Sequence, residues 1–405
     1  MLPLAGIRVL DLGSVVAAPY AAQWLADLGA DVIKIEPPEG DNTRQTGPSN
    51  EPGMAALFLG MNRSKRSVVL DLSDPAGRAA MARLIDGADV LLHSIRPQKL
   101  AKLGLDPATV RARNPRLVYA GLHGFAEDGP YGGMPAYDDI IQGMAGNADL
   151  MGRQGGAPAY FPTIAADKTS GLVAATAILA ALVRRGTTGV GGVVEVPMFE
   201  TLVAFNLVEH MYGAYFDPPK APMGYPRVLA PWRRPFATAD SFLCMMPYTN
   251  PHWRAFFTEV GAPDHADDPR FADYAARSIN IAPLYALAGS FLDRRTTADW
   301  LATFARLQIP AGPVLTLDQL ADDPHLAATG FFQTVEDSSE HPTGALRYPG
   351  VPVRIDGERP AMRFPPRLGE HSRAVLAEAG LTTAEIDALL AGRAGEQDRS
   401  PGGTG

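Results

Sequence analysis

Asp167 is the side chain in this sequence best placed to do chemistry. It stands in Thr163-Ile164-Ala165-Ala166-Asp167-Lys168-Thr169-Ser170-Gly171, at the head of an apolar, small-residue stretch with helical spacing. A carboxylate there meets the unpaired N–H groups and positive end of a helix. Position alone leaves two readings open. One is an ordinary helix cap, a task aspartate performs well. The other is a carboxylate kept ionised at neutral pH in a pocket that excludes water, able to attack an activated acyl carbon such as a thioester. Other chemistries find less support. The eight histidines form no HxH, HxxxH or HExxH pair, so zinc and iron are disfavoured and no metal ligand is assigned. No G-x-S-x-G nucleophile elbow occurs. Cys244, the only cysteine, sits among Phe242, Leu243, Met245 and Met246 and is expected to be a buried small hydrophobe. Arg227, Arg233 and Arg234 lie around Trp232 and read as surface arginines or as a clamp for a second carboxylate.

The elements that must position Asp167 alternate over the first ~125 residues, as a parallel sheet with right-handed crossovers requires. Strands are expected at Ile7–Leu12, Asp31–Glu36, Ser67–Leu72, Asp89–His93 and Leu117–Gly121. Helices are expected around Tyr20–Leu28, Pro75–Asp86, Pro97–Leu103 and Pro107–Arg113. The first loop, Gly13-Ser14-Val15-Val16-Ala17-Ala18, lacks the G-x-G-x-x-G through which a dinucleotide diphosphate approaches bare backbone. Glu36, where a ribose-binding acid would stand, sits more simply beside a turn. Helices follow over 161–185 and Phe199–Tyr215, joined by a glycine-rich turn at Gly186–Gly192 and a strand at Val193–Pro197. A proline-rich crossing segment, Pro218–Pro235, leads into a separately patterned region with a hairpin at Phe236–Pro247 and helices around His252–Gly261 and Pro283–Leu307.

At 405 residues the chain suits two domains, and its 46% hydrophobic content suits a sizeable core. The fold class expected is α/β: a Rossmann-like layer followed by a separately patterned region. A last amphipathic helix is expected at Thr383–Leu390 and a disordered tail at 392–405. The net charge of -8, spread without a long basic block, argues against nucleic-acid or anionic-membrane partners. The longest apolar stretch, Gly171–Val183, falls short of the ~20 residues of a membrane span, and one cysteine gives no disulfide. These features read as cytoplasmic.

Residues 4–40, LAGIRVLDLGSVVAAPYAAQWLADLGADVIKIEPPEG, resemble the start of the class III (CaiB/BaiF-type) CoA-transferases. The resemblance continues through Met61-Asn62-Arg63-Ser64-Lys65-Arg66-Ser67, Ser94-Ile95-Arg96-Pro97, Asn114-Pro115-Arg116-Leu117 and Gly129-Pro130-Tyr131 to Asp167-Lys168-Thr169-Ser170-Gly171. It resumes at Ile309-Pro310-Ala311-Gly312-Pro313-Val314 and Leu368-Gly369-Glu370. The resemblance implies that Asp167 is the nucleophile, carrying first an acyl group as a mixed anhydride and then CoA as a thioester. It implies CoA contacts at Val16, Ala17, Leu70, Ser94, Ile95, Arg96, Lys102, Leu103 and Tyr137, with Pro37 replacing a family arginine. No tightly bound cofactor is implied, because coenzyme A is a carried substrate. It also implies an interlocked homodimer whose chains each have a Rossmann-like large domain, 1–215 plus 325–391, and a smaller α+β domain, 225–320. The α-methylacyl-CoA racemases share this fold but use a histidine in a G-H-D segment, where this chain has Pro135-Ala136-Tyr137-Asp138; His123, close in sequence, would need repositioning. A non-catalytic acyl-CoA-binding protein is the remaining alternative.

Overall fold

The structure, a computed structural model, describes residues 1–339 and 343–394. From the N-terminus run β1 (Arg8–Leu12), α1 (Ala17–Asp27), β2 (Asp31–Glu36), α2 (Ala56–Asn62), β3 (Arg66–Val69), α3 (Pro75–Asp86), β4 (Val90–His93), α4 (Pro97–Leu103), α5 (Pro107–Arg113) and β5 (Val118–His123). Then come α6 (Asp138–Met144), α7 (Asn147–Arg153), α8 (Ala165–Thr188), β6 (Gly192–Pro197), α9 (Met198–His210) and α10 (Pro226–Leu229). The rest are β7 (Phe236–Ala237), β8 (Phe242–Met245), α11 (Asn250–Glu259), α12 (Tyr274–Ile279), α13 (Ile281–Leu292), α14 (Thr297–Arg306), β9 (Ala311–Pro313), α15 (Leu317–Leu320), α16 (Pro324–Ala328), β10 (Phe332–Val335), β11 (Leu346–Pro349), α17 (Ser372–Glu378) and α18 (Thr383–Ala394). Of the described residues, 1–145, 162–203 and those within 327–394 form one compact unit, and 146–161 with 204–326 the other. Residues 146–161 and 204–215, read from sequence as part of the large domain, therefore group with the second unit.

Six parallel strands make the sheet of the first unit, in the order β3-β2-β1-β4-β5-β6. Val9, Leu10, Val32, Ile33, Leu91 and Leu92 are fully buried, as befits strands covered on both faces. One face packs on α1 and α8 through Val9, Ala18, Ala21, Leu25, Ala174 and Ile178. The other packs on α3, α5 and the C-terminal helices through Leu10, Met81, Leu84, Val110 and Leu376. Strand order reverses between β1 and β4, which opens a crevice at their carboxyl ends, where α/β sheets bind ligands.

Several boundaries differ from the sequence reading. β5 runs on to His123 because its last residues still pair with Val196 and Pro197 of β6. α8 begins at Ala165 and continues through Gly186 to Thr188, ending on Gly189 at φ 74°. It is the one helix among the described residues long and apolar enough to cross a membrane, yet it is a layer of the unit, buried along Ala166, Ser170, Gly171, Ala174 and Ile178. α18 reaches Ala394, so helix replaces the first part of the expected disordered tail; 395–405 lie outside the described residues. Cys244 is exposed, not buried. Strand alternation turns Leu243 and Met245 inward and puts Phe242 and Cys244 on the other face of β8.

Glu36 is more than a turn residue. Arg44 donates to both its carboxylate oxygens at 2.7 Å and 2.7 Å, Ser67 donates a third bond, and Glu36 is buried. Burial alone would raise its pKa, but Arg44 and Lys34 hold it below the ordinary carboxylate range. A depressed pKa stabilises the fold above the unfolded value near ~4.3, and the contribution is lost as pH falls through the folded one. Glu36→Ala strands the Arg44 charge in the interior and is expected to cost about 3–5 kcal/mol in urea unfolding at neutral pH. A loss below ~1 kcal/mol would show the pair to be dispensable.

Candidate active site

Asp167 sits in the first turn of α8, but it is not the cap. Ile164 occupies the cap position without a side-chain bond. The capping carboxylate comes from Asp138, at the start of α6: its Oδ1 accepts from the Ala166 N–H at 2.7 Å and the Asp167 N–H at 3.1 Å. Asp138 is itself buried, and Gln142 donates to its Oδ2. With the helix end satisfied by another residue, the Asp167 side chain is left over for other work. The ordinary-cap reading falls.

Asp167 is only 9% exposed. Burial, with the Asp138 charge as a second cause, pushes its pKa up from 3.8 to about 7. The sequence reading of a carboxylate kept ionised at neutral pH is thus corrected to one poised between its two forms in the free protein. Small residues on α8 bring this turn close to the loop after β1. A Cβ on Gly171 would lie 2.8 Å from the Ala17 carbonyl oxygen and 3.0 Å from Tyr20, so glycine there permits the approach of α1.

The crevice at the strand-order reversal holds a cavity of about 570 Å³. Asp167 lines it together with Val16, Ala17, Ser94, Ile95, Arg96, Leu103 and Tyr137, eight of the ten residues named from sequence. Leu70 and Lys102 are not among them. Leu70 is packed in the core on the other sheet face and borders a separate cavity of about 650 Å³ with Pro38, Asp71 and Arg83. Lys102 projects from the exposed side of α4, and Lys99, one turn earlier on that helix, reaches the cavity instead. Tyr137 is 69% exposed beside the buried Asp138.

Sequence reasoning missed several lining residues, among them Phe125, Glu127, Met134 and Met198, and it set His123 aside. His123 ends β5 and is among the residues that line this cavity. Its Nδ1 lies 3.4 Å from Glu127 Oε1, and its ring centroid is 5.4 Å from that of His93. His93 is fully buried, accepts from the Ile95 N–H, and is driven down to about 3 by burial and by His123. Burial lowers His123 as well, against the pull of Glu127. Both rings are therefore neutral near pH 7. His123, Glu127 and Glu195 bring potential ligand atoms within 4.8 Å of one another, the one such group of three among the described residues. No sequence motif signals it, because Glu195 arrives from β6.

In the second unit, Arg227 is held by the Tyr285 hydroxyl at 3.3 Å, and the Arg234 guanidinium stands 5.0 Å from the Trp232 ring centre. Arg233 borders a cavity of about 500 Å³ with Glu209 and His210.

Known proteins match this chain along nearly its whole length. The model of CoA-transferase family III matches residues 4–372. A probable fatty acyl-CoA transferase of Mycobacterium tuberculosis, Rv3272, is 36% identical over 388 residues, which cover 93% of this chain and 98% of that one. The succinate–glutarate CoA-transferase of Agrobacterium fabrum is 34% identical over 93% of this chain and 95% of its own. Among solved structures, that of Rv3272 in an orthorhombic crystal form superposes with a TM-score of 0.78 at 34% identity, covering 93% of this chain and 99% of that one. A CaiB/BaiF family protein from Brucella suis superposes at 0.77 with 32% identity, over 93% and 99% of the two chains. The chain belongs to CoA-transferase family III, and it is a CoA-transferase.

Proposed function

We propose that this enzyme moves CoA from an acyl-CoA to a carboxylic acid by covalent catalysis on Asp167. The observation that carries the reading is a buried carboxylate, relieved of capping by Asp138, on the wall of a cavity at the sheet's reversal point. An Asp167 oxygen attacks the thioester carbon, the C–S bond breaks, and a mixed anhydride forms with release of CoA thiolate. The thiolate then attacks the Asp167 carboxyl carbon and displaces the donor acid as its carboxylate. The acceptor carboxylate attacks the resulting aspartyl-CoA thioester and expels the thiolate again. Attack of that thiolate on the acceptor acyl carbon yields the new acyl-CoA and frees Asp167. Each intermediate hydrolyses if water reaches it, which a nucleophile only 9% exposed supports avoiding.

CoA phosphates find Arg96 and Lys99 at the rim of the cavity. Arg96→Ala and Lys99→Ala are each expected to weaken CoA binding about tenfold at low salt and less at high salt. Isothermal titration at two ionic strengths checks this, and unchanged affinity would move the phosphates elsewhere. The proposed assembly is a homodimer. It is supported by apolar side chains left exposed on the single chain: Val183 at 72%, Phe205 at 58% and Val208 at 70%. With its one cysteine and dispersed charge, we place it in the cytoplasm.

The deciding experiment is incubation with a panel of acyl-CoA donors, followed by intact-mass and peptide analysis. CoA or acyl mass on Asp167 supports the reading; turnover with no adduct on Asp167 under any quench excludes it. One observation favours a second reading: His123 shares the cavity with Asp167. An α-proton exchanger would wash solvent deuterium into a 2-methylacyl-CoA and would not exchange CoA between acids.

A further inference from the structure

The loop between β1 and α1 lines the CoA cavity with Ser14, Val15, Val16 and Ala17, and it is held in a conformation its own sequence disfavours. Val15 has φ 66°, the left-handed region that a β-branched residue avoids. Such a residue persists only where its surroundings over-determine it. They do. The Gly13 N–H donates to Asp11 Oδ1 at 2.9 Å, and the Gly13 carbonyl accepts from Lys34 Nζ at 2.9 Å. The Ser14 N–H donates to Ser94 Oγ at 3.2 Å, and the Val15 N–H to Asp41 Oδ1 at 3.4 Å. Asp41 Oδ2 then accepts from the same Lys34 Nζ at 2.9 Å, while its Oδ1 also takes Thr43 N–H and Oγ1. Lys34 and Asp41 have side chains 1% and 1% exposed. Neither lines the cavity.

We infer that Lys34 and Asp41 are positioning residues: a buried ion pair that pins the loop from behind and holds Val15 left-handed, so that Val16 and Ala17 face the CoA. This rests on the reading that the cavity binds CoA. A pair serving stability alone would be replaceable by apolar groups at little cost, because both buried charges leave together. A pair that positions the loop is not.

The test is a cycle on CoA binding with the full chain. Lys34→Met/Asp41→Ala is expected to weaken CoA binding by about ten- to a hundredfold, the scale of a displaced binding element. The same double substitution in a Val15→Gly background is expected to cost at most about threefold, because glycine takes a positive φ without a Cβ penalty. An equal loss in both backgrounds, or no loss in the Val15 background, overturns the inference. Absence of CoA binding by the unaltered chain defeats the proposed function instead. Should the double variant not fold, amide exchange on the unaltered chain decides: protection of Val15 N–H comparable to β1 supports pinning, and loop-like exchange refutes it.

Discussion

Asp167→Ala is expected to lower CoA exchange by at least about a thousandfold in kcat/KM while leaving CoA bound. Among the described residues, no other carboxylate at this cavity is arranged to take over. Asp138 spends both oxygens on the head of α8 and on Gln142, and Glu127 is turned toward His123. Residual turnover within tenfold of the unaltered enzyme, with an adduct elsewhere, would transfer the nucleophile's role to that residue. A companion variant separates chemistry from folding. Because burial raises the Asp167 pKa from 3.8 to about 7, the folded state carries no penalty while the group is protonated in both states, below pH ~4. The penalty grows as pH rises through the interval and is complete above about 7. Asp167→Asn removes it. The amide variant should match the unaltered protein in acid and be more stable by on the order of a few kcal/mol at pH ~8. A variant inactive yet more stable in base is what a functional buried carboxylate predicts; equal stability at every pH would show Asp167 to be solvated.

The sheet was legible because parallel strands covered on both faces are short continuous runs of Val, Ile and Leu, and their helices open on Asp or Pro: Asp74-Pro75 and Asp106-Pro107. Asp167 was legible from its neighbours. Its partner was not: Asp138 lies 29 positions upstream, and only the packing of α6 on α8 brings it to the N–H groups it caps. Lys102 and Lys99 show the same limit: two lysines one helical turn apart are equally cationic in sequence, and it is Lys99 that borders this cavity. His123, expected two residues beyond the end of β5, ends that strand instead, because β6 keeps pairing to Pro197. Leu70 lies away from this cavity for another reason. The strand it follows carries it into the core of the opposite face, and a leucine has no polar group that would betray the difference.

On the proposed role of Asp167, Asp138 ties the helix cap to that side chain's reactivity, and pH separates the two contributions. In the proposed mechanism attack requires the ionised carboxylate, so kcat/KM for the free enzyme should rise with pH along a single limb centred near about 7. Asp138 contributes to that position, because its charge lies against the same helix end and opposes ionisation of Asp167. Asp138→Asn keeps an oxygen for the Ala166 and Asp167 N–H groups but removes the charge, so the limb should move to lower pH with the helix intact. Asp138→Ala removes the acceptor as well. It leaves two buried N–H groups unpaired, should cost about 1–2 kcal/mol of stability, and should lower kcat about a hundredfold, as expected when a reacting group drifts by ~1 Å. The pair of profiles discriminates: an acid-shifted limb for Asn with near-normal kcat, and a depressed kcat for Ala. If the Asn limb moved to higher pH, or if both variants lost kcat equally with no movement of the limb, the charge of Asp138 would have no part in tuning Asp167, and the aspartate would serve the helix end alone.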